Sequence, residues 1–509
     1  MNALLTALAG LRVPLAEHVL LAAAALALGI VVALPLAVWA SRSATVARIA
    51  LGLAGLVQTI PALALLALFF PILLALRGVF GPGLPTLGFL PALLALALYA
   101  VLPVLRNAVT ARSHMDPGVL EAADAVGMSA GQKLRLVEAP LAAPYVMAGI
   151  RTAAVWTIGA ATLATTIGQP SLGDPIFAGL QTQNWALVLA GCIAAAALAL
   201  AADALLGMVE RGLARRNRPL ALAGLALALA GVLAAGIAAR DPAQDTITIG
   251  AKNFSEQYIL ARLIGARLER AGYQVRYREG LGSAVIHDAL TSGAIDVYVD
   301  YSGTLWANEM KRTGNPPAAQ MDQAIAAWEK QTSGTRVLGA LGFENAYAFA
   351  MRGDRARGLG IASLADLAGK GSNVTIGGDL EFFERPEWTA VRDTYGLGAA
   401  KRRNFSPTFM YDALTGGEAD AISAFSSDGR IAADKLTVLA DPKHALPSYD
   451  ALLLVAPGRA GERRFTEALQ PLVGAISVEA MRSANYSVDR ADDKRSPQQA
   501  ADALAQAIS

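Results

Sequence analysis

The chain has 509 residues, of which 54% are hydrophobic and 17% charged, and its formal net charge is +2. A chain of this length accommodates two or three domains, and a near-neutral charge gives no sign of a nucleic-acid partner. Leu and Ala runs dominate up to residue 239, and charged residues become common only after it. The composition therefore predicts a membrane protein with a soluble C-terminal half. The single cysteine, Cys192, excludes an intramolecular disulfide framework.

Six apolar stretches in the first half are long enough for membrane spans, because about 20 apolar residues cross a bilayer. The second stretch is too long for one simple helix and carries Gln58-Thr59-Ile60-Pro61 in its middle. This interruption predicts either a broken or tilted helix or a span with a re-entrant piece. The approximate ranges are 18–40, 46–77, 88–105, 146–166, 184–208 and 219–239.

The distribution of Lys and Arg predicts the orientation of these spans, since cytoplasmic loops are enriched in both residues. They cluster near 42–48, 106–135 and 211–218, whereas the loops near 78–87 and 167–183 carry almost none. Alternating the spans places the N-terminus outside, the segment 106–135 inside and everything after residue 239 outside. We therefore predict a multi-pass protein of the inner membrane whose soluble half is extracytoplasmic.

Polar side chains inside the predicted spans are candidates for function, because they are costly in lipid. For the threonines, helix packing is the favoured interpretation, since a hydroxyl can bond to the carbonyl of the preceding turn. Asp203 is expected at the membrane interface, near a cytoplasmic helix end. The candidates are Gln58, Thr157, Thr162, Thr165, Thr166 and Asp203.

A short polar stretch interrupts the apolar runs between residues 119 and 140. Residues 119–126 are helix formers, Gly127 is suited to end a helix, and the next segment is amphipathic up to Pro140. A surface helix between spans favours docking onto a soluble partner over an ordinary interhelical loop. The stretch resembles the coupling loop of ABC-importer permeases, which seats in a groove of the ATPase subunit. The resemblance assigns this coupling role to Glu121, Ala122, Ala123, Gly127 and Pro140.

Four further motifs lie in or next to the predicted spans: QTIPALAL at 58–65, LPVLRN at 102–107, GIRTA at 149–153 and IGAATLA at 158–164. They resemble the permeases of osmoprotectant importers, which carry glycine betaine, choline, carnitine and related compounds. The resemblance implies an α-helical transmembrane permease domain of the type I ABC-importer kind over residues 1–213. One departure is GQPSLG at 168–173, on an external loop, where the family usually has Gly-Ala-Gly-Gly-Leu-Gly.

The segment that joins the two halves has a basic start, a Leu/Ala/Gly middle and small residues before Arg240. Read alone, this pattern fits a signal peptide, but its length favours an uncleaved span that fuses two proteins. We therefore predict a transmembrane tether over residues 214–243 and a binding domain over residues 244–509.

Predicted strands and helices alternate in the second half, beginning with a strand at 246–250, a helix at 255–271 and a strand at 273–279. Such alternation predicts an α/β fold with largely parallel sheets, and two such sets suit a two-lobed, hinged binding protein. No acid pair or nucleophile elbow indicates catalysis, and no cofactor or metal is predicted. His287 and His444 are isolated, so solvent-facing histidines are the expected interpretation.

Aromatic residues follow the predicted strands in six motifs: GAKNFSEQ at 250–257, DYSGT at 300–304, NAYA at 345–348, GDLEFFER at 378–385, FSSDGR at 425–430 and PSY at 447–449. These motifs resemble osmoprotectant-binding proteins, which have a type II periplasmic-binding-protein-like fold. The resemblance implies a cage for a quaternary ammonium group, which is bound through the faces of aromatic rings. The walls would be Tyr301, Tyr347, Phe425 and Tyr449, and Arg385, Lys252, Thr304 and Asn253 would meet a carboxylate or another polar end.

Two departures from the family pattern leave the ligand open. The family usually has Tyr where Phe425 stands, and Glu344 stands where a smaller or neutral residue is expected. A more apolar wall and a nearby acid could favour a ligand with a second polar or cationic site. The alternatives are a simple betaine of the glycine betaine, choline or carnitine class, and a bulkier betaine such as ergothioneine.

The partners follow from what the chain carries and lacks. It contains no Gly-x-x-x-x-Gly-Lys-Ser/Thr phosphate-binding loop, so a separate ATPase is expected to hydrolyse ATP and the chain itself is not expected to be an enzyme. One coupling loop per chain predicts a second permease chain, as a homodimer. A membrane-anchored solute sensor is the rival from another class, and copurification of an ATPase would separate the two.

Overall fold

The computed structural model describes residues 2–81, 84–182, 184–239, 246–443, 445–490 and 492–508. The chain forms two compact units, one made of residues 1–177 with 185–242 and the other of residues 178–184 with 243–509. The domain boundaries at 213/214 and 243/244 stay predictions. Residues 240–245, on which the second boundary falls, and His444 lie outside the described residues.

The first unit is built from helices, as its Leu- and Ala-rich composition predicts. Six of its helical segments are long and apolar enough to cross a membrane. Short irregular turns follow two helices: a π turn at Leu134–Glu138 and a 3-10 turn at Thr162–Ile167. The helices are α1 Asn2–Ala9, α2 Arg12–Ala40, α3 Ala44–Thr59, α4 Ala62–Phe80, α5 Phe89–Ser113, α6 Pro117–Ala125, α7 Ala130–Lys133, α8 Ala139–Ala161, α9 Gly173–Gln181, α10 Trp185–Ala214 and α11 Arg218–Ala238.

The long apolar run at 46–77 is a broken helix. α3 ends at Thr59 and α4 begins at Ala62, because Ile60 is extended with ψ 125°, as expected of a residue that precedes proline. The Tyr99 hydroxyl of α5 donates to the Ile60 carbonyl, which the break leaves without a helical partner. The Gln58 amide donates to the Tyr99 carbonyl at 3.3 Å, so the same two helices are joined twice at the break.

The second unit contains two five-stranded sheets with helices around them, which are called lobe 1 and lobe 2. Lobe 1 has the strand order β2-β1-β3-β10-β4 and lobe 2 has the order β7-β6-β8-β5-β9. The strands are β1 Thr246–Lys252, β2 Gln274–Leu281, β3 Val297–Tyr301, β4 Arg336–Glu344, β5 Tyr347–Arg352, β6 Thr375–Gly378, β7 Lys401–Asn404, β8 Ala421–Phe425, β9 Leu436–Val438 and β10 Asp450–Val455.

Helices connect and cover these strands, and the C-terminal ones return to lobe 1. The helices are α12 Ser255–Arg270, α13 Ser283–Thr291, α14 Ser302–Thr304, α15 Ala318–Thr332, α16 Gly353–Leu359, α17 Leu364–Ala368, α18 Leu380–Glu384, α19 Pro386–Tyr395, α20 Pro407–Thr415, α21 Gly429–Ala433, α22 Arg463–Leu469, α23 Val478–Asp489 and α24 Pro497–Ala507.

Both sheets are mixed, which corrects the expectation of largely parallel sheets. β1 runs parallel to β2 and β3, and β6 runs parallel to β7 and β8. β5 and β10 run antiparallel to their neighbours, because each enters its sheet directly after the chain has crossed from the other lobe. The crossings lie between β4 and β5 and between β9 and β10, and the Asn345 N–H bonds to the Tyr449 carbonyl at 2.9 Å between them.

His287 is buried in lobe 1, so the expectation of a solvent-facing histidine is wrong for this residue. Its Nε2 lies 2.7 Å from the Glu329 carboxylate, and its Nδ1 lies 3.4 Å from Glu309. Burial lowers the pKa of His287, but the hydrogen bond and the charge of Glu329 raise it, and the net shift is upward. Glu309 and Glu329, which contact the two ring nitrogens, are distant from His287 in sequence. The sequence around His287 therefore gave no sign that the ring is buried.

Candidate binding site

A cleft of about 520 Å³ lies between the two lobes of the second unit. Its walls come from loops that follow β1, β3, β6 and β8 and from the two crossing segments. All eight residues that the sequence predicts for substrate binding lie along this cleft. The described lining residues are Lys252, Asn253, Phe254, Ser283, Tyr301, Thr304, Asn345, Tyr347, Asp379, Leu380, Glu381, Arg385, Asn404, Phe405, Ser406, Phe425 and Tyr449.

Aromatic rings form one continuous wall of the cleft. Tyr347 and Phe425 are opposite each other on the antiparallel strands β5 and β8, and their ring centroids are 4.9 Å apart. Tyr449 meets Tyr347 edge-on at 5.5 Å. Phe254 stacks at 6.2 Å on both Tyr301 and Phe425, which joins the walls of the two lobes. The sequence reading missed Phe254, although it lies inside a motif that carried the resemblance.

Gly303 explains why the DYSGT motif places two of these rings together. A methyl group at Gly303 would lie 2.6 Å from the ring of Tyr449, so only glycine leaves room for that ring beside β3. The Tyr449 hydroxyl donates to Glu387, which is 3% exposed, and accepts from Arg385 at 3.3 Å. Tyr449 is therefore fixed on its face by lobe 1 and at its hydroxyl by lobe 2.

Both predicted cations of the site already have acidic partners. Lys252 is buried and forms an ion pair with Asp300, which is 1% exposed. Arg385 donates from two nitrogens to Glu387 at 3.1 Å and from a third to Glu381 at 2.8 Å. Since pairing satisfies a buried cation internally, neither group is a free partner for a ligand carboxylate.

Two cations and two acids line the cleft, namely Lys252 and Arg385 against Asp379 and Glu381. The acids outnumber the cations only when the buried ion-pair partners behind the lining, Asp300 and Glu387, are counted as well. Burial raises the pKa of Asp379, and the hydrogen bond from the Phe382 N–H partly opposes this shift. Glu344 is exposed and accepts a hydrogen bond from Ser448 at 3.3 Å, outside the cleft lining. The acids that line the cleft are therefore Asp379 and Glu381, and not Glu344, which the sequence analysis singled out.

A buried glutamate lies behind the aromatic wall. Glu256, at the start of α12, accepts from the Tyr301 hydroxyl at 2.6 Å and from Asn345 at 3.0 Å. Its other oxygen accepts from Ser427 at 2.6 Å and from Asn485 at 2.8 Å. Burial raises the pKa of Glu256, and these four hydrogen bonds oppose that shift. The Glu256 carboxylate thus connects Tyr301 of the aromatic wall with the crossing segment at Asn345. It also connects both with Ser427 of lobe 2 and Asn485 of α23.

The short polar stretch in the first unit folds as two helices with a tight turn. The Asp116 carboxylate caps the first turn of α6. Gly127 ends the helix with φ +78°, a conformation that glycine tolerates best. The Met128 N–H bonds to the Ala123 carbonyl at 3.1 Å, and the Gly127 N–H bonds to Asp124 at 3.0 Å. These two bonds are those of a Schellman motif, so Gly127 ends the helix as predicted.

The other residues for which a coupling role is predicted lie in the same stretch, which is called the coupling element and defined as residues 116–140. Glu121 and Ala122 are exposed, and Ala123 is buried beneath them. Val126 and Leu136 are exposed apolar side chains on a segment between spans. An ion pair of 2.6 Å between Lys133 and Asp124 joins its two limbs. Pro140 is exposed in the first turn of α8.

Comparison with known families identifies both units. Residues 245–507 match the substrate binding domain of the ABC-type glycine betaine transport system, and this match alone covers more than half of the chain. The chain belongs to the ABC-type glycine betaine transport family. Residues 14–215 match the inner membrane component of binding-protein-dependent transport systems. This glycine betaine-family importer chain therefore fuses a multi-pass permease of the inner membrane to an extracytoplasmic binding domain.

Two curated relatives differ in how much of the importer they cover. The ergothioneine transport permease/ergothioneine binding protein EgtU of Helicobacter pylori (strain G27) is 28% identical over 451 residues, which are 85% of this chain and 78% of the relative. The choline transport system permease protein OpuBB of Bacillus subtilis (strain 168) is 41% identical over 197 residues, which are 39% of this chain and 85% of the relative. The first relative thus spans both units, and the second spans the permease.

A solved structure of a glycine betaine/carnitine/choline ABC transporter is also similar to part of this chain. It has 25% sequence identity, a TM-score of 0.45, and covers 51% of this chain and 97% of its own.

Proposed function

We propose that this importer chain captures a bulky betaine of the ergothioneine type, a trimethylated histidine derivative. Its trimethylammonium group would lie against Phe254, Phe425 and Tyr347, with Tyr301 and Tyr449 completing the cage. Arg385, Lys252, Thr304 and Asn253 would surround the polar end of the ligand. The observation that carries the proposal is an aromatic cleft whose two cations are already paired and whose lining also holds the acids Asp379 and Glu381.

The aromatic wall favours a quaternary ammonium group over a neutral ligand. Each ring face contributes about 0.5–2 kcal/mol of cation–π attraction. Two faces already meet cations of the protein, since Lys252 lies 5.4 Å from the Tyr301 centroid and Arg385 lies 5.4 Å from the Tyr347 centroid. Phe254 and Phe425 are left as the rings with no hydroxyl and no described internal cation, and we infer that they contact the ammonium group most closely.

The acids favour a ligand that brings hydrogen-bond donors as well as a positive charge. A simple carboxylated betaine has no N–H group to offer to Asp379 or Glu381. The ring N–H groups of a histidine-derived betaine suit these acceptors, and a cleft of about 520 Å³ exceeds what a trimethylammonium acetate needs. The relative that spans both units is named for ergothioneine, which supports the same choice.

The affinity of the full-length chain for a panel of ligands tests this proposal. Calorimetry in detergent with ergothioneine, glycine betaine, carnitine and choline should give the tightest binding for ergothioneine. Tighter binding of glycine betaine, carnitine or choline would instead support the simpler class that the permease relatives' names suggest. A panel in which no trimethylammonium compound binds would contradict both.

We further propose that two copies of this chain pair over a separate ATPase, which docks on the coupling element. The support is one coupling element per chain, with Glu121 and Ala122 exposed beside apolar Val126. A membrane-anchored solute sensor, the alternative function, would not need an element that docks onto an ATPase. Purification of the tagged chain from its native membrane should recover an ATPase subunit and a second, differently tagged copy. Recovery of neither would contradict this assembly.

A further inference from the structure

A cluster of ionised side chains lies within the membrane-spanning helices of the first unit. Arg151 of α8 donates to both oxygens of Asp203 on α10, at 3.0 and 2.8 Å. Its remaining terminal nitrogen donates to Glu210 at 2.6 Å. One arginine thus holds two carboxylates, so the cluster keeps an excess negative charge after pairing.

Arg151 and Asp203 lie well inside their helices, and Glu210 lies nearer the end of α10. Asp203 precedes the last residue of α10 by 11 residues, and Arg151 follows the first residue of α8 by 12. At about 1.5 Å per residue these positions are roughly 16–18 Å along each helix. The expectation that Asp203 lies at the membrane interface stays a prediction. The side chains of Arg151 and Asp203 are 31% and 39% exposed, so both are open to the space beside the helices.

A cavity of about 400 Å³ opens beside this cluster. Arg151, Thr152, Trp156 and Asp203 line it, and the Trp156 side chain is 51% exposed. The cavity thus combines an aromatic face with the Asp203 carboxylate, which belongs to a cluster of one arginine and two acids. An ordinary interfacial tryptophan would need neither the ion cluster nor the cavity beside it.

We propose that this cavity is a transient site on the translocation path, where the trimethylammonium group of the cargo passes between the Trp156 indole and the Asp203 carboxylate. The inference rests on the proposed function, since it takes a quaternary amine as cargo. A single ring supplies much less cation–π attraction than the five rings of the cleft, so the site binds weakly and releases readily.

The position of this site on α8 connects it to the coupling element. From Ala130 the helical segment continues without interruption through the π turn and α8 to the 3-10 turn that ends at Ile167. A movement of the coupling element is therefore transmitted along one helical segment to Arg151 and Trp156. This arrangement changes the cavity when the ATPase acts and moves the cargo past Asp203.

Uptake at saturating ligand tests the inference, because the cleft is then always filled. We use ergothioneine and choline as probes and the full-length chain with its ATPase. Trp156→Leu should lower maximal uptake by about two- to thirtyfold and leave the cleft affinity unchanged. Trp156→Phe, which keeps a ring, should fall between Trp156→Leu and wild type. Trp39→Leu is the matched control, since Trp39 is 63% exposed on α2, and it should transport at the wild-type rate.

A second variant separates charge from packing. Asp203→Asn keeps an acceptor for Arg151 but removes the negative charge, and it should also lower maximal uptake. Wild-type rates in both Trp156→Leu and Asp203→Asn would overturn the inference. So would slow variants that have lost the second permease chain, since the cluster would then be an interface between copies. A wild-type chain that binds neither probe contradicts the proposed function, and this inference with it.

Discussion

Two regions of this importer chain use the same combination of groups at very different burial. In the cleft, Arg385 is 5% exposed, holds Glu387 and Glu381, and lies beside a wall of aromatic rings. In the membrane unit, Arg151 is 31% exposed, holds Asp203 and Glu210, and shares its cavity with the single ring of Trp156. Each region combines an arginine, two acids and an aromatic face.

The difference in burial and ring number matches a difference in task. The proposed capture requires affinity, and the cleft offers five rings, with buried hydrogen bonds at the hydroxyls of Tyr301 and Tyr449. The proposed passage requires release, and a site with one ring and partly exposed charges is expected to bind loosely. The comparison indicates that one set of groups is suited to retention or to transit according to how many ring faces surround the cargo and how exposed the charges are.

The largest expected effect comes from removing the buried arginine. Arg385→Ala leaves buried Glu387 without its partner and takes a donor from Tyr449, so ligand affinity should fall by about 2–5 kcal/mol. The sequence alone predicts that choline, which lacks a carboxylate, is hardly affected. The paired geometry predicts that choline affinity falls as well, because Arg385 acts through the cleft wall.

Calorimetry on the full-length variants measures this effect. Arg352→Ala is the control, since Arg352 forms an exposed pair with Asp354, and its ligand affinity should equal that of wild type. Arg151→Ala should also keep the cleft affinity and slow only transport. An Arg385→Ala variant with unchanged ligand affinity would contradict the claim that Arg385 supports ligand binding in the cleft.

The next effect concerns the coupling element. Gly127→Pro imposes φ near −65° where the structure has +78° and removes the N–H that bonds to Asp124. Together with Glu121→Arg it should cost about 2 kcal/mol or more of docking energy, so ligand-stimulated ATP hydrolysis should fall at least about tenfold. Gly358→Ala is the control, because open space surrounds Gly358 in α16, which lies outside the coupling element. Normal stimulation in both test variants would exclude this surface as the docking site.

Replacement of single rings should have a smaller effect. Phe254→Leu, Tyr347→Leu and Phe425→Leu keep apolar area and remove the ring quadrupole, so each should lower affinity by about 0.5–2 kcal/mol. The control is Phe409→Leu on α20, an exposed ring outside the cleft. Phe425→Tyr should shift the preference toward smaller betaines. Ring variants that bind as tightly as Phe409→Leu would show that the wall acts only by shape.

The smallest expected effect is a pH-dependent change in stability. Burial, and secondarily the charge of Asp450, raise the pKa of Asp322 to about 6. Because the folded-state pKa lies above the ordinary value, the stability contribution of this group is present below about pH 4 and is lost as the pH rises through 6. Asp322→Asn should therefore raise the melting temperature at pH 7.5. The gain in the free energy of unfolding should be less than about 1 kcal/mol, because the site is half exposed.

The matched control for this variant is Asp502→Asn, an exposed position in α24 that keeps its hydrogen bond from Gln498. The gain of Asp322→Asn should shrink as the pH falls through 6 and vanish below about pH 4, where the wild-type carboxyl becomes protonated in both states. A gain of equal size at both pH values would contradict the titration of Asp322 as its cause.

Much of this architecture was predictable, because it depends on local chemistry. The proline at position 61 predicted the broken helix, and the glycine at position 127 predicted the end of α6. The resemblance to osmoprotectant-binding proteins predicted eight binding residues, and these lie along one cleft. Periodicity could not predict the antiparallel entry of β5 and β10, because strand direction depends on where the chain crosses between lobes.

The charge pairing could not be predicted for a similar reason. Glu387 lies outside the quoted motifs and Asp300 lies inside one, but nothing in their spacing shows that they neutralise Arg385 and Lys252. The pairing of Arg151 with Asp203 likewise joins residues that are 52 positions apart. Long-range ion pairs depend on tertiary placement, and sequence motifs identify at most one of the two partners.

The central claim is that the cleft recognises the charge of a quaternary nitrogen through ring faces. The most direct measurement compares the tightest-binding ligand of the panel with its neutral isostere, in which carbon replaces that nitrogen, on the full-length chain. Shape and apolar area are then equal, and only the positive charge differs. We predict that the charged ligand binds at least about tenfold more tightly, the minimum expected of several cation–π contacts. Equal affinities would contradict the claim.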